Sequence, residues 1–493
     1  MPKAQVSMHT VRLVSCAWVI LLAACSAPAA PTPRPTPPPP TMTSAPPTRP
    51  PGAATPLPTR SIFGPGERLP YVTQSGDYVD VLAVRFNTTA EEILAANPDL
   101  PPTATLPSGL AIEIPAYYFP LGGSPFKIIP DSEFVYGPAQ LGFDLAAYLR
   151  EQPGSVKTLS AFVNQKQRDA AGTLEYVARQ YSINPKLFLA LMEWRTGAVT
   201  DPRPQPAPFG PIPDRSARDW YLQMLWVAEQ LSHGYYAWRT GRLTTLALPD
   251  SYSVRVDSYQ NAGTVALHYL ISQLVPREAF EQATGPDGFA AVYRALWGEV
   301  WQSPPDVLPG ALTQPDLALP FEPGRTWTFT GGPHAAWGQR VPWAALDFAP
   351  AGVSGCGSTS EFARASAPGV IVRSGDSTVV LDLDGDGYEG TGWVLVYFHI
   401  AEQDMTPAGT VVTVGDPIGH PSCEGGTATG THVHLSRRYN GEWLPADGIV
   451  PFNLGGWVAQ SGPAAYLGRL VRLGAWVEAS TSSTAQNRVY WMP

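Results

Sequence analysis

The sequence predicts a multidomain fold: a small βααβ module, a mostly α-helical middle domain and a C-terminal domain of antiparallel β character. Three observations carry this. Residues 67–118 place strand-like segments such as Ile112-x-Ile114 around a helical run from Glu91 to Asn97. Between 130 and 305, apolar residues recur at three and four, as in Leu187, Leu191 and Trp194. Between 320 and 455, runs such as Val379–Leu383 and Trp393–Tyr397 flank a polar turn, which is a hairpin pattern. A length of 493 residues suits about three domains.

At the N-terminus, Lys3 and Arg12 precede an apolar run from Leu13 to Ala24, ending in Leu22-Ala23-Ala24-Cys25. A basic start, a short apolar core and small residues before the cut mark residues 1–25 as a secretory signal. The run is shorter than the ~20 apolar residues a spanning helix needs. Leu-Ala-Ala-Cys resembles the bacterial lipoprotein box. That resemblance implies a lipid on Cys25, a membrane partner, and a place on the extracytoplasmic face of the cell envelope. A Pro-rich linker, 26–66, comes next, with 15 prolines in positions 26–65. Such a stretch buries no core and favours polyproline II, reaching on the order of 100 Å at about 3.1 Å per residue. A net charge of −9 and a pI near 5.4 argue against nucleic acid as a partner.

In the small module, Gly76-Asp77-Tyr78 follows the first strand-like residues. Thr89 is placed to cap the helical run, with Glu92 at the capping-box distance. Leu106-Pro107-Ser108-Gly109 leads into the last strand. The whole resembles a LysM module, which implies binding of N-acetylglucosamine chains; Tyr78 stands where that family often has Thr. In the middle domain, helices are expected over Leu174–Gln180, Pro185–Trp194, Ser216–Ser232 and Gly263–Leu274. Tyr181 to Gly197 resembles the first helix of lysozyme-like transglycosylases. Arg195 stands where those enzymes carry an acid, and Glu193 is offset by two, on another face of the helix. The resemblance implies a degenerate lysozyme-like fold in which Glu193 is structural.

The chemistry concentrates near the C-terminal end. Of eight histidines, five fall between 334 and 434: His334, His399, His420, His432 and His434. Asp347 lies among them, inside the apolar run Trp343–Phe348. In Gly430-Thr431-His432-Val433-His434, strand alternation puts both rings on one face. Two rings so placed suit one shared metal, or a ligand beside a group that moves protons on the bound water.

Four pieces occur in order: Gly331-Gly332-Pro333-His334, Ala344-Ala345-Leu346-Asp347-Phe348, Val396-Tyr397-Phe398-His399-Ile400, and Cys423 to His434. They resemble the lysostaphin-type zinc endopeptidases, and most their beta-lytic and staphylolysin branch, over about a quarter of the chain. The resemblance implies His334, Asp347 and His434 as Zn2+ ligands. It implies His432 as the base for a zinc-bound water, and His399 as the group that steadies the oxyanion and assists the leaving amine. Trp343 stands where the wider family has a His before its Asp. The beta-lytic branch takes its first ligand from a Gly-x-His turn thirteen residues earlier, where His334 stands. Hydrolysis of amide bonds in peptidoglycan peptides is the implied reaction. The alternative is a peptidoglycan-binding lipoprotein without catalysis that scaffolds or activates other hydrolases; zinc content separates the two. Cys356 and Cys423, the cysteines beyond the signal, are expected as one disulfide. Asp382-x-Asp384-Gly385-Asp386-Gly387 matches the first half of an EF-hand loop, but Trp393 holds the twelfth position. Ca2+ at Asp382, Asp384 and Asp386 and a plain hairpin turn both stay open. Residues 456–493 are expected as a tail.

Overall fold

The computed structural model describes residues 64, 66–115, 123–482 and 484–491; the signal, Cys25 and nearly all of the Pro-rich stretch lie outside them. The first described elements are β1 (Arg68–Val72), α1 (Val79–Phe86), α2 (Ala90–Ala96) and β2 (Ala111–Pro115), with β1 and β2 antiparallel. Alternation turns Leu69, Tyr71, Ile112 and Ile114 inward against Leu82, Phe86 and Ile93. The Thr89/Glu92 capping box is formed at the start of α2. The module is docked on the helical region. Arg85 is buried, pairs with Asp77 at 2.9 Å and donates to the Trp238 carbonyl at 3.2 Å.

The helical region comprises α3 (Leu145–Glu151), a hairpin of β3 (Ser160–Val163) and β4 (Lys166–Asp169), α4 (Ala170–Tyr181), α5 (Pro185–Thr196) and α6 (Trp220–Arg239). A second short hairpin, β5 (Thr245–Ala247) and β6 (Ser253–Arg255), precedes α7 (Ala262–Ser272), α8 (Arg277–Ala283) and α9 (Phe289–Trp297). Asp144, Asp169, Asn184 and Asp219 cap α3 to α6 with their side chains, each satisfying a free N–H of the first turn. The Glu193 carboxylate accepts the N–H groups of Val199 and Thr200 at 3.0 and 3.1 Å, a structural use of its charge.

The C-terminal part is antiparallel β. Its strands are β7 (Thr326–Ala335), β8 (Trp343–Pro350), β9 (Ala363–Arg364), β10 (Gly369–Gly375), β11 (Thr378–Asp382), β12 (Trp393–Phe398), β13 (Val411–Val412), β14 (Pro417–Gly419), β15 (Val433–Tyr439) and β16 (Glu442–Trp443). The expected tail is corrected. Residues 453–478 form a four-stranded sheet of β17 (Asn453–Leu454), β18 (Trp457–Ser461), β19 (Gly468–Arg472) and β20 (Ala475–Glu478). β21 (Arg488–Tyr490) then closes the edge of the main sheet beside β7. That main sheet has nine strands, ordered β13-β10-β11-β12-β15-β8-β7-β21, with β16 paired to β15.

Its two faces pack differently. On β15, Val433 and Leu435 join Leu346, Phe348, Leu395 and Tyr397 in a core shared with the four-stranded sheet. On the opposite face, Val380, Val394 and Val396 join the core of the helical region. Val396 faces Ser436 and Phe398 faces His434 across the β12–β15 pair, so His434 lies on the face that the helices cover further along. β16 inserts into the helical region: Glu442 accepts from Tyr235 at 2.8 Å and pairs with Arg239 at 2.9 Å. All described residues thus belong to one unit, Ala54–Pro493.

Candidate metal centre

Three adjacent strands bring the expected ligands together. His434 on β15 is the direct cross-strand neighbour of Asp347 on β8. β7 is irregular opposite Asp347, with register shifts between Phe329 and Ala335, and these shifts swing His334 toward the same spot. Gly331 makes room, because a Cβ there would overlap the Asp347 carboxylate. His334 Nε2 lies 3.3 Å from Asp347 Oδ1, His434 Nδ1 lies 3.4 Å from the same oxygen, and the two nitrogens are 3.0 Å apart. All three side chains are buried.

The hydrogen bonds around this triangle show which atoms are free. A carbonyl only accepts, so a ring nitrogen beside one carries the hydrogen. His334 Nδ1 donates to Gly332 O at 2.8 Å, and His434 Nε2 donates to Ala336 O at 3.0 Å. Their remaining nitrogens therefore point lone pairs at each other, which repel unless a proton or a metal ion lies between. Asp347 Oδ1 is buried and makes no hydrogen bond. Tetrahedral zinc with ligands at about 2.0–2.1 Å needs donors about 3.3 Å apart, and carbonyl-anchored imidazoles are its usual partners. The donor set fits zinc. Trp343 offers no ligand, since its indole N–H donates to Arg340 O at 3.0 Å.

His432 and His399 stand beside the triangle. His432 donates from Nδ1 to Gly430 O at 2.7 Å and holds Nε2 3.7 Å from Asp347 Oδ1. His399 donates from Nδ1 to Glu424 O at 2.7 Å, and its ring lies 4.6 Å from that of His432. The chain leaves β12 at His399 with φ of +60°, a costly conformation for a residue with a side chain, and turns the ring in from the strand end. Burial, and then the neighbouring His432 and His434, push the His399 imidazole down to about 3. Burial would raise the Asp347 acid, but His334 and His432 hold it well below the usual carboxylate range. Burial likewise lowers His434; at His334 burial is also the largest single effect, but the neighbouring Asp347 and the Gly332 carbonyl together outweigh it and raise the imidazole. His420 stands apart, its Nδ1 on Glu361 O and its ring against Phe362.

Cys356 and Cys423 form the expected disulfide, with Cα atoms 5.6 Å apart. It joins the loop after β8 to the loop that supplies Gly430 and Glu424. Thr431 also bonds Gly355 O through its N–H at 2.8 Å and Gly357 O through its hydroxyl at 2.6 Å. A cavity of about 1280 Å³ adjoins the disulfide, lined by Ser358, Glu402, Glu424, Gly426 and the β3–β4 tip at Gln165. Sequence reasoning missed Tyr466, whose ring stacks on His334 at 4.1 Å from the β18–β19 loop. No local pattern marks it, because that proximity exists only once the C-terminal sheet has folded. It also missed Trp337, which packs on Phe398 at 4.5 Å.

A family model described as LasA, N-terminal domain, matches residues 127–310, and one described as Phage Tail Protein X matches residues 71–117. Protease LasA of Pseudomonas aeruginosa (strain UCBPP-PA14) is 26% identical over 357 residues, spanning 68% of this chain and 78% of that protein. Beta-lytic metalloendopeptidase of Achromobacter lyticus is 27% identical over 174 residues, 34% of this chain and 42% of that protein. A solved structure titled a novel M23 metalloprotease, pseudoalterin, from deep-sea covers 34% of this chain and 96% of its own, at 24% identity and a TM-score of 0.29. By sequence, then, the chain is similar to two named proteases, and one of those similarities runs through both its helical and its β regions.

Proposed function

We propose that this protein is a cell-envelope zinc metalloendopeptidase that hydrolyses amide bonds in peptidoglycan peptides. One observation carries the reading: a buried carboxylate oxygen without a hydrogen bond, flanked by two imidazole lone pairs that face each other. The similarity to Protease LasA and to beta-lytic metalloendopeptidase supports the same chemistry. His334, Asp347 and His434 would hold the zinc, which when bound supplies a Lewis acid and acidifies water. His432 and His399 handle protons. Each keeps a hydrogen on Nδ1, which leaves a lone pair on Nε2, and that of His432 lies 3.7 Å from Asp347 Oδ1. His432 takes a proton from the attacking water. As the C–N bond breaks, that proton returns to the leaving nitrogen and an amine departs. His399 begins as an acceptor too, so it steadies an oxyanion or serves the amine only after gaining a proton.

The large cavity beside the disulfide gives room for peptide flanking the scissile bond. We read residues 67–118 as a LysM-type module gripping glycan, and Cys25 as the lipid-bearing residue of the 1–25 signal, ahead of the 26–66 linker. The 130–305 region keeps the degenerate lysozyme-like reading, and 320–455 is the catalytic portion. Calcium is no part of this reading. Asp382, Asp384 and Asp386 lie close together, but their oxygens accept the N–H groups of Asp384, Asp386, Gly387 and Tyr388 within the turn. Chain purified natively should carry about one zinc and should release peptide fragments from defined peptidoglycan, read by mass spectrometry. A wild-type chain that takes up no zinc on reconstitution overturns the reading.

A further inference from the structure

His434 is oriented by Ala336 O, and Ala336 begins the loop that joins β7 to β8. The base of this loop is closed by Ala336 N–H on Pro342 O at 3.0 Å. Its tip is held by the helical region. Glu229 of α6 accepts the Gln339 N–H at 3.0 Å with Oε1, and the same oxygen accepts the Tyr181 hydroxyl of α4 at 3.1 Å. The loop presses on this carboxylate so closely that a Cβ at Gly338, where φ is +74°, would overlap Glu229 Oε1. Arg340, on the loop itself, is the cation facing Glu229. Trp337, between the two anchored ends, packs on Phe398, whose ring meets His399 at 4.1 Å and His434 edge-on at 5.9 Å.

We infer that Glu229 is a positioning residue for the metal centre: a helix outside the β region sets the loop whose carbonyl orients ligand His434. The inference rests on the peptidase reading and deepens it, making the helical region a working part of the metal site. Freed from Glu229, the loop gains conformations, and zinc binding must then order both the loop and His434. Both donors to Glu229 need only an acceptor oxygen, so an amide oxygen serves and a shortened or missing side chain does not.

The test measures zinc affinity of the full chain by competition with a chelator, beside thermal unfolding of the zinc-free protein. Glu229→Ala and Glu229→Asp should bind zinc about 10-fold more weakly, while Glu229→Gln should stay within about 2-fold of wild type. Wild-type affinity in both Glu229→Ala and Glu229→Asp, even with a lower melting temperature, overturns the positioning role. If Glu229→Ala does not fold, Glu229→Asp against Glu229→Gln decides by the same comparison. A wild type that binds no zinc overturns the peptidase reading instead, which keeps the two failures apart.

Discussion

Each of the four central histidines gives one ring nitrogen to a backbone carbonyl, yet only His334 and His434 share the buried oxygen of Asp347 at 3.3–3.4 Å. A three-ligand site has no spare donor, so His334→Ala, Asp347→Ala and His434→Ala should each lose zinc. His432→Ala and His399→Ala should keep it and lose peptide hydrolysis by roughly 10²–10⁴-fold. Full zinc occupancy in His334→Ala, or wild-type turnover in His432→Ala, would refute the division. His432 and His434 were legible because a strand repeats every two residues. His334 was legible only through a motif, since the irregular β7 that aims it leaves no periodic trace. Tyr466 was not legible at all.

Among the elements, the disulfide loop carries a second consequence. Cys356–Cys423 closes a 67-residue span, worth about 2–4 kcal/mol in the chain-entropy account. It also steadies the carbonyls of Glu424 and Gly430 that orient His399 and His432. The Cys356→Ser/Cys423→Ser chain should therefore unfold at lower denaturant, with turnover falling while zinc content stays near wild type. Turnover unchanged despite lower stability would show that the loop does not position those rings. The helices were readable in sequence because their apolar residues recur at three and four, but the caps Asp169 and Asp219 went unread, so the expected starts at Leu174 and Ser216 differ from those at Ala170 and Trp220. β17–β20 escaped notice because the strands are short, Gly455-Gly456 and Gly474 punctuate them, and their core partners lie far away along the chain.

For the whole molecule, what binds the helical region to the sheet is partly ionic. Glu389 is buried and meets Arg373 at 3.0 Å on β10, Arg438 at 2.9 Å on β15 and Arg179 at 3.4 Å on α4. Burial alone would raise its pKa, but the three guanidinium groups, Arg373 foremost, hold it at about 2 against a usual 4.5. A depressed carboxylate stabilises fully above pH 4.5 and loses that contribution as pH falls toward 2, because the unfolded chain takes up the proton first. At ~1.4 kcal/mol per unit, the stake is about 3 kcal/mol. Glu389→Gln should lower stability at neutral pH by about that amount, read as a lower urea midpoint, and flatten the decline between pH 4.5 and 2. An unchanged acid limb would remove Glu389 from this role. The shared core itself was hidden from sequence reading. β11 and β12 are apolar on both faces, so nothing in Val379–Leu381 or Val394–Tyr397 tells which side meets helices and which meets a second sheet. The small module shares in this continuity, docked by the buried Arg85 on the Trp238 carbonyl of α6. Two gripping surfaces on a tether search a volume, and their joint affinity follows the linker. Two within one compact unit do not. On the proposed reading, in which the small module grips glycan and the metal centre meets peptide, a polymer that meets both would have to present its contact points at one separation and one angle, so spacing would be gauged as well as chemistry.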